Sequence, residues 1–372
     1  MPPPRDPGQG DHLALDTVPA PRAVFHAEQA LLGALLLEPH RRDTLTNITA
    51  GSFSTAEHSA LFAAITTLPA PSPDTHATNT TWINQVLATA RDQARALTAS
   101  YLHALIQVCP QPQHAPAYAR MAEAEHARRR LRAAAEHLLH SVHDTSLPHP
   151  IHTVLAEADT LTAAVDHIST RFPPRAHLLP RTPLPPPGPA PDDGEAAQEE
   201  QALLATATAR PEDIASARWL LPGDFTHPLH AGLWQCLVTL HRRNEPVDPV
   251  TVLWEAQQHG LLDDGSEPGK ILRLLAQPTP SSEHWGERIL RRFLLATAAN
   301  TARRIGAYAD DPANTPFQLV VGTRRALADL AAIQTRWQHA TGAVPPQRPR
   351  PASAPRASPP TTTAAHATHT PR

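Results

Sequence analysis

The chain has 372 residues, a formal net charge of -3, 42 prolines and 4% aromatic side chains. That length accommodates two ordinary domains, and the near-neutral charge excludes binding of polyanions through bulk electrostatics. The two cysteines, Cys109 and Cys236, lie far apart without CxxC partners, which argues against a disulfide framework or a cysteine-based zinc site.

Residues 1–21 are rich in Pro, Asp and Gly, show no apolar signal-peptide core and read as a disordered lead. Leu31, Leu32, Leu35 and Leu36 then fall on one face of a helix that Pro39 limits. The apolar run Ala30 to Leu37 is far below the roughly 20 residues of a membrane span, so a soluble cytoplasmic protein without membrane contact is expected. A short helical stretch is predicted around Leu45 and Ile48, followed by a turn at Gly51. Ser54 with Glu57 reads as a capping box, opening a helix that places Leu61, Phe62, Ile65 and Leu68 on one stripe. Around Thr80 to Ala90 the pattern loses clarity. Two longer helices follow, at about 116–143 and 150–170. Residues 172–195 form a proline-rich linker, read as a semi-rigid polyproline spacer of up to about 70 Å.

After the linker the sequence repeats. Glu28-Gln29-Ala30-Leu31-Leu32 recurs as Glu200-Gln201-Ala202-Leu203-Leu204, an offset of 172. At the same offset Pro39 meets Pro211, Gly51 meets Gly223, Phe53 meets Phe225, His58 meets His230, Phe62 meets Trp234 and Ile65 meets Leu237. Farther on, Tyr101 and Leu105 match Ile271 and Leu275 at offset 170, and Arg120 matches Arg288 at offset 168. One unit has been duplicated. In the second copy Thr226 is the expected helix cap with Pro228 in the first turn. Asp248 and Pro249 open another helix that Gly260 closes. Two long helices are again expected, at about 281–308 and 315–338, and residues 339–372 read as a disordered tail. No segment alternates with a period of two, so the fold class is all-α. The predicted core of the repeat is Leu31, Leu35, Phe53, His58, Phe62 and Ile65, with Leu203, Phe225, His230, Trp234 and Leu237.

In their order these pieces resemble, twice over, the N-terminal domain of DnaB-type replicative helicases. The likeness lies in Glu28 to Leu37 with Pro39, in Gly51-Ser52-Phe53 with His58, Leu61 and Phe62, in Pro246 to Asp263, and in Pro278 to Ser281 with Arg288 and Ile289. The resemblance implies two tandem helical-bundle modules, 22–171 and 196–338, each ending in a helical hairpin. It also implies non-catalytic collar domains that pair with one another and offer a surface to primase and loading factors, whereas the family's motor is a separate RecA-like domain.

Candidate chemistry is sparse. Gly265 to Ile271 contains the only lysine, Lys270. As a phosphate loop it is one residue short, carries Glu267 and Pro268, and ends in Ile where a hydroxyl should hold magnesium. ATP hydrolysis and cofactors are therefore not expected. His137, His140 and His143 fall near one helix face, but no HExxH pattern occurs, and a solvated face is the reading. His58 and His230 are expected to pack and hydrogen-bond beside Phe53 and Phe225. Arginines give each long helix a basic side, and Arg128, Arg129, Arg291 and Arg292 are the candidate partner or phosphate contacts. Interleaved acids and the lack of a stacking platform predict weak or no direct nucleic-acid binding. The expected function is a non-catalytic replication adaptor that binds primase, replicative helicase or helicase loader, with intramolecular or homo-oligomeric pairing of its modules. The alternatives are a DnaB-type helicase subunit or fragment whose motor is supplied in trans, and an eroded copy from a mobile element.

Overall fold

The computed structural model describes residues 23–174, 178–186, 193–262, 267–277 and 282–342. The expected lead 1–21, most of the expected tail, the 278–281 passage and the first residues of the Lys270 loop lie outside them. All regular structure among the described residues is helical. None of these helices is long and apolar enough to cross a membrane.

The chain divides into two units, Met1–Glu195 with Arg291–Ala332 and Ala196–Leu290 with Ile333–Arg372. In the first, α1 (Ala23–Leu37) is the central helix. It buries every residue from Ala30 to Leu36 and not a single face, as a helix does when apolar all round. Its neighbours are α2 (Ala56–Thr67), α5 (Ala99–Val108) and α6 (Ala115–His143). Gly33 permits the close approach to α5, since a Cβ there would run into the Leu105 carbonyl. The short helix expected near Leu45 and Ile48 lies earlier, as a 3-10 turn over Pro39–Thr44. Pro39 suits its first turn, and Asn47, with φ of 83°, breaks any continuation. Arg42 reaches from this turn to the carbonyls of Ile65 and Leu68 at the end of α2, where positive charge is favoured. The cap of α2 is Thr55, which accepts the His58 amide at 3.2 Å. It is not Ser54, whose hydroxyl is engaged elsewhere.

Next come α3 (Pro73–Thr78) and α4 (Thr81–Arg91). Here the sequence pattern is blurred, yet α4 buries Trp82, Val86, Leu87 and Ala90. Its buried positions stay apolar although their identities differ from those of the second copy. α6 then turns back into α7 (Pro150–Ser169), which buries Ile151, Val154, Ala158, Leu161, Val165 and Ile168. Spacings of three and four in alternation make a coiled-coil seam, so the two helices form an antiparallel hairpin.

The second head is built from α8 (Asp193–Ala209), α9 (Asp213–Ser216), α10 (Pro228–Arg243), α11 (Pro249–Gln258) and α12 (Pro268–Leu275). Asp248 caps α11 by accepting the amides of Val250 and Thr251 at 2.8 and 3.0 Å. Gly260, with φ of 70°, ends it in a Schellman turn in which Leu261 N donates to Ala256 O at 3.0 Å. For α10 the flanking residue is His227 without a side-chain cap bond, Pro228 occupying the first turn. Thr226 is therefore not the cap that the sequence suggested.

The last hairpin is α13 (Ser282–Asp310) and α14 (Pro316–Thr341). Thr301 Oγ1 donates to Ala326 O at 3.2 Å, and Arg304 pairs with Asp329 at 3.0 Å. The unit division cuts across the expected 196–338 module, because residues 291–332 group with the first head and α6–α7. The described part of the expected free spacer also belongs there. Leu179 O accepts from Gln318, the Arg181 amide donates to Asn314, and Thr182 donates to Asp311, all at 2.7–2.8 Å. This strap is tied to the α13–α14 turn, because Asn314 and Gln318 supply partners for backbone that polyproline geometry leaves unpaired, and Asp311 takes the Thr182 hydroxyl.

Candidate functional site

A buried carboxylate must be matched by donors, and each head contains one on its first helix. Glu28 and His58 are both fully buried. Glu28 accepts from the Ser54 amide at 2.8 Å, from Ser54 Oγ at 2.8 Å and from His58 Nδ1 at 2.7 Å. His58 Nε2 lies 2.7 Å from the Tyr101 hydroxyl on α5. Burial pushes the Tyr101 phenol pKa up, outweighing a Gln29 hydrogen bond that lowers it, so the hydroxyl keeps its proton for this bond. One clasp thus joins α1, the start of α2 and α5. Phe25 stacks on the imidazole at 4.8 Å, and Phe53 meets it edge-on at 6.5 Å.

In the second head Glu200 occupies the equivalent position. It accepts the amides of Thr226 and His227 at 2.6 and 3.3 Å and His230 Nδ1 at 2.7 Å. The carboxylate thus pins the two residues that lead into α10. Both Glu residues stand in the repeated Glu-Gln-Ala-Leu-Leu string, in which only the leucines are apolar enough to stand out as core. The available signal was the joint recurrence of a glutamate and a histidine thirty residues apart.

The clasp positions helices and has no layout for catalysis. Ser54 donates its proton to Glu28 and not to His58, so no nucleophile–base pair exists, and burial bars a substrate. His137, His140 and His143 lie exposed on α6. Among the described residues no group of three or more His, Cys, Asp or Glu could hold a metal ion. Lys270 sits in α12 and pairs with Glu267 at 3.3 Å. Leu31, Leu35, Phe53, Phe62, Ile65, Leu203, Phe225, Trp234 and Leu237 are buried around the two clasps.

The candidate contact arginines separate into two groups. Arg128 spends its guanidinium inside the first unit. Nη1 donates to Ala309 O and Asp311 O at 3.1 and 2.7 Å, Nη2 to Asn314 O at 2.6 Å, and Nε to Glu125 at 3.1 Å. A planar fork on the carbonyls ending α13 combines fixed geometry with a favourable helix dipole. Arg129 Nη2 donates to Ser52 O at 2.7 Å. Arg128 and Arg129 therefore hold this chain together, and they do so beside a cleft of about 540 Å³ that they line with Arg132 and Asp310. Arg291 is exposed, whereas Arg292 is partly buried and its pKa is lowered by that burial.

Further bonds in the first unit join the hairpins. Arg132 pairs with Asp310 at 3.0 Å, Arg324 pairs with Asp166 at 2.8 Å, and the rings of Phe172 and Phe317 meet edge-on at 5.7 Å. The first copy's hairpin and residues 291–332 of the second copy's hairpin are thus packed together in one unit.

The model of the DnaB-like helicase N terminal domain matches residues 20–123 and 194–289, more than half of the chain. Both matches span a head and stop about two turns into the long helix that follows. No curated protein and no solved structure matches the chain. With two all-helical heads, a repeated clasp and two family matches in tandem, the chain belongs to the family of the DnaB-like helicase N terminal domain and carries that domain twice.

Proposed function

We propose that this chain is a non-catalytic, cytoplasmic adaptor in DNA replication that presents two collar-type heads to a primase, a replicative helicase or its loader. The observation that carries the reading is the double family match joined to the packed hairpins. In this account the hairpins of the two copies pair within one chain. Their outer faces are left for partners, and no motor action is required of the chain itself. The inward bonds of Arg128 and Arg129 weigh against phosphate binding by those guanidinium groups, which already have carbonyl partners in this chain.

Titration of the full chain against the primase and replicative helicase of the same cell tests this. Micromolar binding to one of them is expected, without DNA-stimulated ATP hydrolysis by the chain alone. Failure to bind either would refute the adaptor, and intrinsic ATPase activity would refute the non-catalytic assignment.

A further inference from the structure

On α11 of the second unit, Val250 and Trp254 are 66% and 62% exposed. Four residues apart, they share one helix face, opposite the buried Val252 and Ala256. A tryptophan presented in this way is not a requirement of the fold. The buried positions Trp82 and Val86 of α4 correspond to Val252 and Ala256 at the offset of 170, which places Thr80 and Asn84 where the second copy has Val250 and Trp254. The first copy keeps the same helix with a polar outer face, so the apolar stripe belongs to the second copy alone.

Two exposed acids, Glu245 and Asp248, stand at the start of α11, whereas Glu255 is buried and paired with Arg243. The C-terminal segment 343–372, which begins one residue after Gly342 in the same unit, has the complementary composition. It carries Arg348, Arg350, Arg356 and Arg372, eight prolines and no acidic residue, and it includes the spacing Pro346-Gln347-Arg348-Pro349. Proline-rich strands dock on exposed aromatic rings because their extended form is already adopted, so little chain entropy is lost. Arginines between the prolines stack on indole faces and pair with acids at the rim. At roughly 3.1 Å per residue the thirty-residue segment reaches up to about 90 Å, three times the roughly 30 Å diameter of a small domain.

We propose that the Val250–Trp254 stripe on α11 is a docking site for the chain's own proline- and arginine-rich C-terminal segment, residues 343–372. Docking masks a surface that a partner would otherwise meet, so a competitor for Trp254 has to displace the segment.

The test uses the full chain labelled with 5-fluorotryptophan, the Trp254 fluorine signal being assigned with Trp254→Phe. Exposure of that signal to a dissolved paramagnetic agent is compared between the unaltered chain and a variant carrying Arg348→Glu, Arg350→Glu and Arg356→Glu. Protection of Trp254 in the unaltered chain, with exposure rising about threefold or more in the variant, is expected. A labelled peptide of residues 343–360 should bind the variant chain and lose about tenfold in affinity on Trp254→Ala, a substitution at an exposed position that leaves the core intact. Equal exposure in the two chains overturns the inference. So does protection that grows with protein concentration, which would assign the stripe to a second copy, or peptide binding indifferent to Trp254.

Discussion

In the first head the buried carboxylate of Glu28 serves a network that ends on Tyr101 of α5. In the second head Glu200 serves two amides at the start of α10, and the position of Tyr101 holds Ile271. The neighbouring loop has diverged in the same sense. Ser52 accepts the Thr49 amide and its carbonyl is held by Arg129 of α6. The equivalent Asp224 accepts the Leu221 amide and forms an ion pair with Arg336 of α14 at 2.6 Å. The clasp, a carboxylate on the first helix pinning the entry of the next, is therefore the shared device. What fastens it to the rest of the head has been free to change. Two copies in one chain show which contacts the fold needs and which are local solutions.

Substitutions at the clasp should break this comparison most strongly. Glu28→Ala leaves the buried His58 without its acceptor, whereas the exposed Ser54 can turn to water, at a cost of about 1–3 kcal/mol. Glu200→Ala should cost a comparable amount in the second head by freeing the entry of α10 and leaving the buried His230 without its acceptor. Urea unfolding followed by near-ultraviolet dichroism measures both, and a loss below about 1 kcal/mol in either would show that the clasp does not hold that head. Removing the fork of Arg128 should come next. Hydrogen bonds from a charged donor contribute about 1.5–3 kcal/mol, so Arg128→Ala should loosen the α13–α14 turn by about that much. Amides at 309–314 should exchange faster while those of α1 hold, and unchanged exchange would mean that the fork adds nothing. Tyr101→Phe sharpens the contrast between heads, since it gives the first clasp the second's missing hydroxyl. A cost of about 1 kcal/mol is expected from the unfolding midpoint, and none would make the network's third member ornamental.

The smallest expected effect is on pH response. His126 of α6 has its pKa lowered, first by burial and then by Arg129, Arg130 and His167. Its folded pKa lies below the unfolded one. Its contribution is therefore present above the unfolded value of about 6.5 and is lost as pH falls toward the folded value. The position equivalent at offset 168 is Leu294, which cannot titrate. His126→Leu should narrow the difference in urea midpoint between pH 7.5 and pH 5.5, and an unaltered difference would place the acid sensitivity elsewhere.

Much of this architecture was legible in the residues. Pro150 and Pro316 open helices close to where the pattern placed them, and Asp248 with Pro249 and Gly260 gives the ends of α11 outright. These signals are local, set by backbone chemistry within one turn. The cap of α2 was misassigned because Ser54 and Thr55 are chemically equivalent in sequence, and only the distant Glu28 decides which hydroxyl is free. The clasp glutamates were hidden for a related reason. A charged residue inside a helix reads as solvated until its donors, twenty-six and thirty residues away, are brought to it. Nor does a seam of alternating three and four spacings name its partner. The hairpins of both copies carry such seams, so nothing local in the sequence says that residues 291–332 group with the first head or that Leu179 to Thr182 are tied down there.

The packing of the two hairpins within one chain is the account's central claim, and cross-linking tests it most directly. Asp166 and Arg324, an exposed ion pair at 2.8 Å, are replaced together by Asp166→Cys and Arg324→Cys in the full chain with Cys109→Ala, the remaining Cys236 being buried. A short bismaleimide should then join α7 to α14 in high yield at the mass of a single chain, at all protein concentrations. Failure of the cross-link, or a product only at the mass of two chains, would contradict the account.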